Sequence, residues 1–407
     1  MELSAIFAVC NTDSIKLMTI PILITICVLV LLSYIFDLSS KKTKIPTVVL
    51  LLLLGWGVSQ LATIFSIVIP DLHSLLPILG TIGLILIVLE GSLGLELNKS
   101  KKRVLFKTIF SAFVQIGLLM VIFGYGFHFL TGKPLKMSLL NAIPICIISS
   151  AIAIPSALHL NKNSKEFVIY ESSLSDIFGV IVFNIFATEE AITIGSLGYF
   201  TIEFLLMLVI SFVASIGLVY LLKRITHHVK YIPILLIIVL IYSISKIYHL
   251  PSLIFILLFG LLLNNINIFR RFKLVEKLDP ENFTKDVHRF REMISEFSFL
   301  IRSLFFLLFG FLINVQSLLN LQSILLALII VLIILLVRFI YLKITRVDVA
   351  ELLFLGPRGL ITILLFLSIP TSLQIPYVNE SLMILVIVFS SLCMMLGSMF
   401  RKNNNFA

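Results

Sequence analysis

The sequence predicts an all-α polytopic membrane protein of about 13 transmembrane helices, two of them discontinuous. Three observations carry that prediction. The 407 residues are 59% hydrophobic and 13% charged, with a mean hydropathy of +1.14, far outside the range of soluble domains. Apolar segments of about 20 residues, the length that crosses a bilayer, recur along the whole chain. Lys and Arg gather in alternate joints between those segments.

In order, the apolar segments run approximately over 15–36, 45–68, 73–97, 104–130, 136–160, 165–188, 192–222, 231–249, 251–269, 296–314, 318–342, 347–370 and 378–400. The first is too long for a signal-peptide core and lacks a small-residue cleavage site, so a retained helix is expected. Short polar joints such as Pro70-Asp71, Thr131 to Pro134 and His249 to Pro251 separate the segments. One set of alternate joints carries 24 Lys and Arg and the opposite set only 4. That asymmetry makes the richer side cytoplasmic, with the N-terminus outside and the C-terminus inside a cell membrane. The net charge of +10 is therefore a topology signal, and nucleic acid is excluded as a partner. Cys10, Cys27, Cys146 and Cys393 are scattered and offer neither a metal spacing nor a disulfide framework, and no cofactor is called for.

The longest polar stretch, 270–293, is expected on the cytoplasmic side. Asp279 suits a helix cap and Pro280 the first helical position. Phe283, Val287, Phe290, Ile294 and Phe297 then recur at helical spacing. This predicts an amphipathic helix over 280–297, lying on the membrane surface and leading into the tenth span, as either a plain connector or a regulatory element.

Two spans are interrupted. The fifth carries Pro144 and Pro155 around Ser149-Ser150-Ala151, and the twelfth carries Gly356-Pro357-Arg358-Gly359. Proline removes a helical hydrogen bond and frees carbonyls, which at membrane depth must be buried in protein or line a cavity. Either kink alone is common. A pair of interrupted spans, one in each half, is the mark of inverted-repeat transporters with a site near the midplane.

Between the two lies Tyr170 to Val180 of the sixth span, which places Asp176 near mid-membrane. A carboxylate there costs at least a few kcal/mol, so it faces a cavity, a partner or an ion path. Ser172 and Ser175 stand four and one residues before it. One helix face thus offers hard oxygen groups suited to a cation, or alternatively a helix-packing serine cluster. Glu171 and Arg338 lie at matching depth from cytoplasmic Lys165 and Lys343 and pair as a structural ion pair, unless each snorkels to the interface. Glu90 of the third span either lines the ion path or faces headgroups. Arg302 and Arg358 serve as interface anchors or as partners of other groups, and Glu203 and Lys246 carry no assigned role.

These residues resemble a known family, the monovalent cation:proton antiporters, in the sodium/proton exchanger (NhaP-like) branch. Leu89 to Leu97 is similar to the acidic, glycine-containing end of the family's third span, and Ser150 to Pro155 to its broken fifth. Glu171-Ser172-Ser173-Leu174-Ser175-Asp176 is similar to the glutamate-serine-x-x-asparagine-aspartate signature of the sixth. Phe305 to Phe311 resembles the tenth, and Arg338 with Gly356-Pro357-Arg358-Gly359 the eleventh and twelfth. The likeness extends over essentially the whole chain. Two departures stand out: Ser175 replaces the asparagine, and Ala153-Ile154 replaces a threonine-aspartate before Pro155, so one carboxylate and one hydroxyl are gone.

The resemblance implies an inverted-repeat antiporter fold and a secondary active antiporter, not an enzyme. It would exchange a monovalent cation (Na+ first, with K+ and Li+ as alternatives) for H+. Asp176 would bind cation or proton, with Ser172, Ser175, Glu90 and the Ala153 carbonyl beside it; Glu171 and Arg338 would pair; and Pro155, Gly356, Pro357 and Gly359 would form the helix breaks. Spans 1–3 (residues 1–103) and 8–10 (231–317, with the amphipathic helix 280–297) would form a dimerisation domain. Spans 4–6 (104–190) and 11–13 (318–407) would form the moving core, with span 7 (191–230) as linker in a bilayer-embedded homodimer. With one shared carboxylate, exchange is expected to be electroneutral. A gated cation efflux channel and a transport-silent membrane sensor of the same fold are the rivals. An intramembrane hydrolase is set aside because no histidine is placed to activate Ser172, Ser173 or Ser175.

Overall fold

The computed structural model describes residues 24, 27–39, 46–66, 72, 74–95, 102–157, 160–187, 194–224, 230–248, 252–265, 280–313 and 318–400. All regular structure among them is helical. In chain order the helices are α1 (Cys27–Ser39), α2 (Thr47–Ile64), α3 (Leu75–Gly94), α4 (Lys102–Thr131), α5 (Leu135–Cys146), α6 (Ser150–Ser156), α7 (Lys162–Ala187) and α8 (Ile194–Arg224). They continue with α9 (Tyr231–Ile247), α10 (Ser252–Asn264), α11 (Pro280–Leu312), α12 (Leu321–Ile344), α13 (Val349–Leu352), α14 (Leu360–Leu367) and α15 (Glu380–Phe400).

Among the described residues, eight stretches are long and apolar enough to cross a membrane, the interrupted pair α5–α6 counting as one. Helices α1, α9 and α10 and the 205–218 part of α8 are shorter apolar stretches. The first half of the expected span over 15–36 lies outside the described residues apart from residue 24, as does the Asp279 cap.

Packing follows from apolar surface and small residues. Helix α2 lies on α11, and α3 on α11 and α10, with α8 and α9 against α10. Helices α4, α5, α6 and α7 pack together and are joined by α12, α14 and α15. The two groups meet where α3 and α10 touch α7 and where α14 touches α3. At the α2–α11 crossing a side chain at Gly310 would strike the backbone of Leu52, and one at Gly55 the carbonyl of Leu307. Backbones approach this closely in membranes through small residues.

The amphipathic stretch is not a separate surface helix. It runs unbroken into the tenth span as α11, 33 residues and roughly 50 Å long at 1.5 Å per residue. Its stripe of Val287, Phe290 and Ile294 is buried in protein, with Phe290 6.4 Å edge-on from Phe259 of α10 and 6.0 Å from Tyr231 of α9. Lys230 fixes the docking through Asp286 at 2.6 Å.

Both interrupted spans are broken. Helix α5 ends at Cys146 and α6 starts at Ser150, so the break falls at Ile147–Ser149, while Pro155 sits inside α6. In the other span the chain leaves α13 at Leu352 and re-enters a helix at Leu360, and Gly356, Pro357 and Gly359 lie in the non-helical stretch between. The breaks cross: the Ser149 N–H donates to the Pro357 carbonyl at 2.9 Å. Gly359 is required there by contact, since a Cβ would lie 2.8 Å from the Ser149 Cβ.

Candidate functional site

Asp176 projects from α7 to the crossing of the two breaks and is buried, at 4% exposure. Its Oδ2 accepts from the Ser150 hydroxyl and from the Ser150 N–H at 3.3 Å. Its Oδ1 has no hydrogen-bond partner among the described residues. The sequence places Ser150 only in the helix break, and its contact with Asp176 emerges from the fold.

The other expected ligands divide. Ser175 reaches the break, where its Oγ accepts from the Ile148 N–H at 3.0 Å. Ser172 bends back and donates to the Val168 carbonyl at 2.7 Å. The Ala153 carbonyl is engaged inside α6 by the Ala157 N–H at 3.0 Å. Glu90 faces α11, accepting from the Ser295 hydroxyl at 2.7 Å. So Asp176 and Ser175 meet at the break, whereas Ser172, the Ala153 carbonyl and Glu90 are held by other partners.

Beside this centre lies a second buried polar unit. Arg338 Nη2 is 2.8 Å from Glu171 Oε2, and Nη1 is 3.3 Å from Oε1, a two-pronged pair with both side chains at most 2% exposed. The remaining polar capacity is also satisfied. Arg338 Nε donates to the Leu352 carbonyl at 2.9 Å and Nη2 to Leu355 at 3.2 Å. From α4, Gln115 Nε2 donates to Glu171 at 2.9 Å, its Oε1 accepts from Arg338 at 3.2 Å, and Ser111 donates to Glu171 as well. Sequence reasoning missed Ser111 and Gln115; the available signal was their i, i+4 spacing within an otherwise apolar span.

Arg358 is 1% exposed and has no carboxylate within ion-pair distance among the described residues. Its guanidinium donates to the carbonyls of Ile145 (2.7 Å), Cys146 (3.2 Å) and Gly356 (2.6 Å). The first two are the free carbonyls at the end of α5, where the helix dipole is negative, so the cation completes that helix. Next to Asp176 along α7, Ile177, Val180 and Ile181 face Val88 of α3 and Leu253, Ile254 and Leu257 of α10 across a small apolar cleft.

A buried carboxylate at the crossing of two interrupted membrane helices is an arrangement typical of secondary transporters. The model of the sodium/hydrogen exchanger transmembrane family matches residues 27–402. The chain belongs to this family, and is accordingly a multi-span membrane cation/proton antiporter rather than an enzyme. The sodium proton antiporter MjNhaP1 from Methanocaldococcus jannaschii has a similar fold. Its structure at pH 8 gives a TM-score of 0.68 at 18% identity, covering 93% of this chain and 100% of that one. Its electron-microscopy structure gives 0.64 at 17% identity, covering 94% of each. No curated protein matches the sequence.

Proposed function

We propose that the chain exchanges Na+, with K+ and Li+ as the alternatives, for H+ by competition at Asp176. The observation that carries this reading is the state of the buried charges. An ionised carboxylate at this depth needs a positive partner. Arg338 is engaged by Glu171 and Arg358 by the carbonyls of the α5 end. Among the described residues no further cation faces Asp176, which leaves the cargo itself as its partner, a cation or a proton, each excluding the other.

The geometry supports a division of labour. Ser150 holds Oδ2, leaving Oδ1 to take the cargo. Helices α4 to α7 and α12 to α15 form the moving core, and they rock against α3 and α10 along contacts that include an apolar cleft. Glu171 is neutralised by Arg338 and Glu90 is held at α11, so one carboxylate serves each cycle and exchange is electroneutral. The carrier works as a homodimer with its N-terminus outside and its C-terminus cytoplasmic, as the Lys and Arg distribution implies.

Asp176→Asn tests this reading. Reconstituted in proteoliposomes, the variant should insert and fold but move no protons when Na+, K+ or Li+ is added. Exchange near the wild-type rate would remove Asp176 from the mechanism.

A further inference from the structure

Two buried oxygens of α7 have no hydrogen-bond partner among the described residues: Asp176 Oδ1 and Ser173 Oγ. They belong to residues three apart, a spacing that sets side chains on neighbouring positions of one helix face. Both residues are more than nine-tenths buried, at 4% and 3% exposure. A serine in an apolar helix ordinarily returns its hydroxyl to the carbonyl one turn back, as the adjacent Ser172 does to Val168 at 2.7 Å. Ser173 does not. Leaving a buried hydroxyl and a buried carboxylate oxygen unpaired is costly, so their coincidence on one turn requires an explanation.

Ser173 also stands on the boundary between the two helix groups. Gly91 of α3 lies opposite, where an ideal Cβ would be 3.8 Å from Ser173 Oγ, so α3 presents backbone instead of a side chain to this hydroxyl. The space in front of Ser173 therefore lies on the surface along which α7 and α3 would move apart.

We infer that Ser173 Oγ is a ligand of the transported cation, acting with Asp176 Oδ1 and setting the affinity for that cation. The inference rests on the antiporter reading above. A cation uses the lone pairs of both oxygens at once. A proton needs only the carboxylate, and Ser173 is then released to bond the Ile169 carbonyl one turn back. The hydroxyl thus stabilises the cation-loaded state more than the protonated one. It supplies an oxygen ligand to a site whose Ala153-Ile154 segment brings neither a hydroxyl nor a carboxylate.

The test compares Ser173→Ala, Ser173→Val and Ser173→Thr in the full-length protein, by Na+-driven proton flux in proteoliposomes. Thr and Val have the same shape, but only Thr keeps the hydroxyl. Ala and Val should raise the apparent KM for Na+ by about tenfold or more with kcat retained, the scale of one contact to a charged group, while Thr should restore it. Ser172→Ala should shift KM less. Ser211→Ala, which removes a hydroxyl on α8 that is also buried and without a partner among the described residues, should behave as wild type. For variants that reconstitute poorly, the Na+-induced rise in melting temperature in detergent gives the same ranking. A KM for Ala and Val within about twofold of wild type, or equal losses in Thr and Val, would overturn the inference while leaving the exchange reading intact. Failure of the wild type itself to exchange would overturn both.

Discussion

Arg338 and Arg358 are both buried within the helix bundle, yet they are held by different chemistry. Arg338 neutralises Glu171, so Arg338→Ala strands a buried carboxylate and should cost about 3–5 kcal/mol. Adding Glu171→Gln should recover part of that loss. A double-mutant cycle on melting in detergent checks the coupling, and strictly additive losses would contradict it. Arg358 serves three backbone carbonyls, and stranding each costs about 1–3 kcal/mol. Arg358→Ala should therefore destabilise comparably, but with no single acidic residue whose neutralisation restores it; melting of Arg358→Ala with Glu171→Gln, which should show no recovery, separates the two cases. Matching depth in the sequence suggested that Glu171 and Arg338 are partners, and their atoms lie 2.8 Å apart. The partners of Arg358 were not legible because backbone carbonyls carry no residue-type signal. Ser150 and Gln115 were missed for a related reason: a neutral side chain gives no indication of depth or partner until the fold brings its acceptor close.

At the scale of helices, apolar length alone located most of the long spans, because a bilayer leaves few other arrangements for 20 apolar residues. The twelfth-span interruption is legible at Gly356-Pro357-Arg358-Gly359, but the position of the fifth-span interruption is not. Pro155 marks the fifth span as irregular, but the break itself falls at Ile147–Ser149. It is fixed by tertiary hydrogen bonds from Ile148, Ser149 and Ser150 to Ser175, Pro357 and Asp176. The amphipathic stretch was legible as a pattern and misplaced as a location: Phe290 and Ile294 bury against protein instead of lipid headgroups. Glycine packing makes a direct prediction at this scale. Gly310→Ala forces a methyl onto the Leu52 backbone and should cost about 1–3 kcal/mol by overpacking. Gly57→Ala, on the partner helix α2 and with nothing within 4 Å of the added carbon, should be neutral or stabilising by up to about 1 kcal/mol. Paired melting curves of the two variants measure the difference.

The whole molecule combines two helix groups with a buried carboxylate where their interrupted helices cross. On the proposed one-for-one exchange, the steady-state rate should not change with membrane voltage clamped by K+ and valinomycin, for a variant or condition in which K+ is not carried. A rate that follows the clamped potential would mean that a second charge moves, with Glu90 the first residue to neutralise. The central claim, that cation and proton share Asp176, has a sharper kinetic signature. Initial rates measured against Na+ concentration at a series of pH values should show the apparent KM for Na+ rising as the pH falls, because protons occupy the carboxylate that the cation needs. With the pH on the opposite face held fixed, the rate at saturating Na+ should stay constant, since excess cation displaces the proton. A KM that stays fixed while the saturating rate falls with pH would show that protons act at a different site, and would contradict the account.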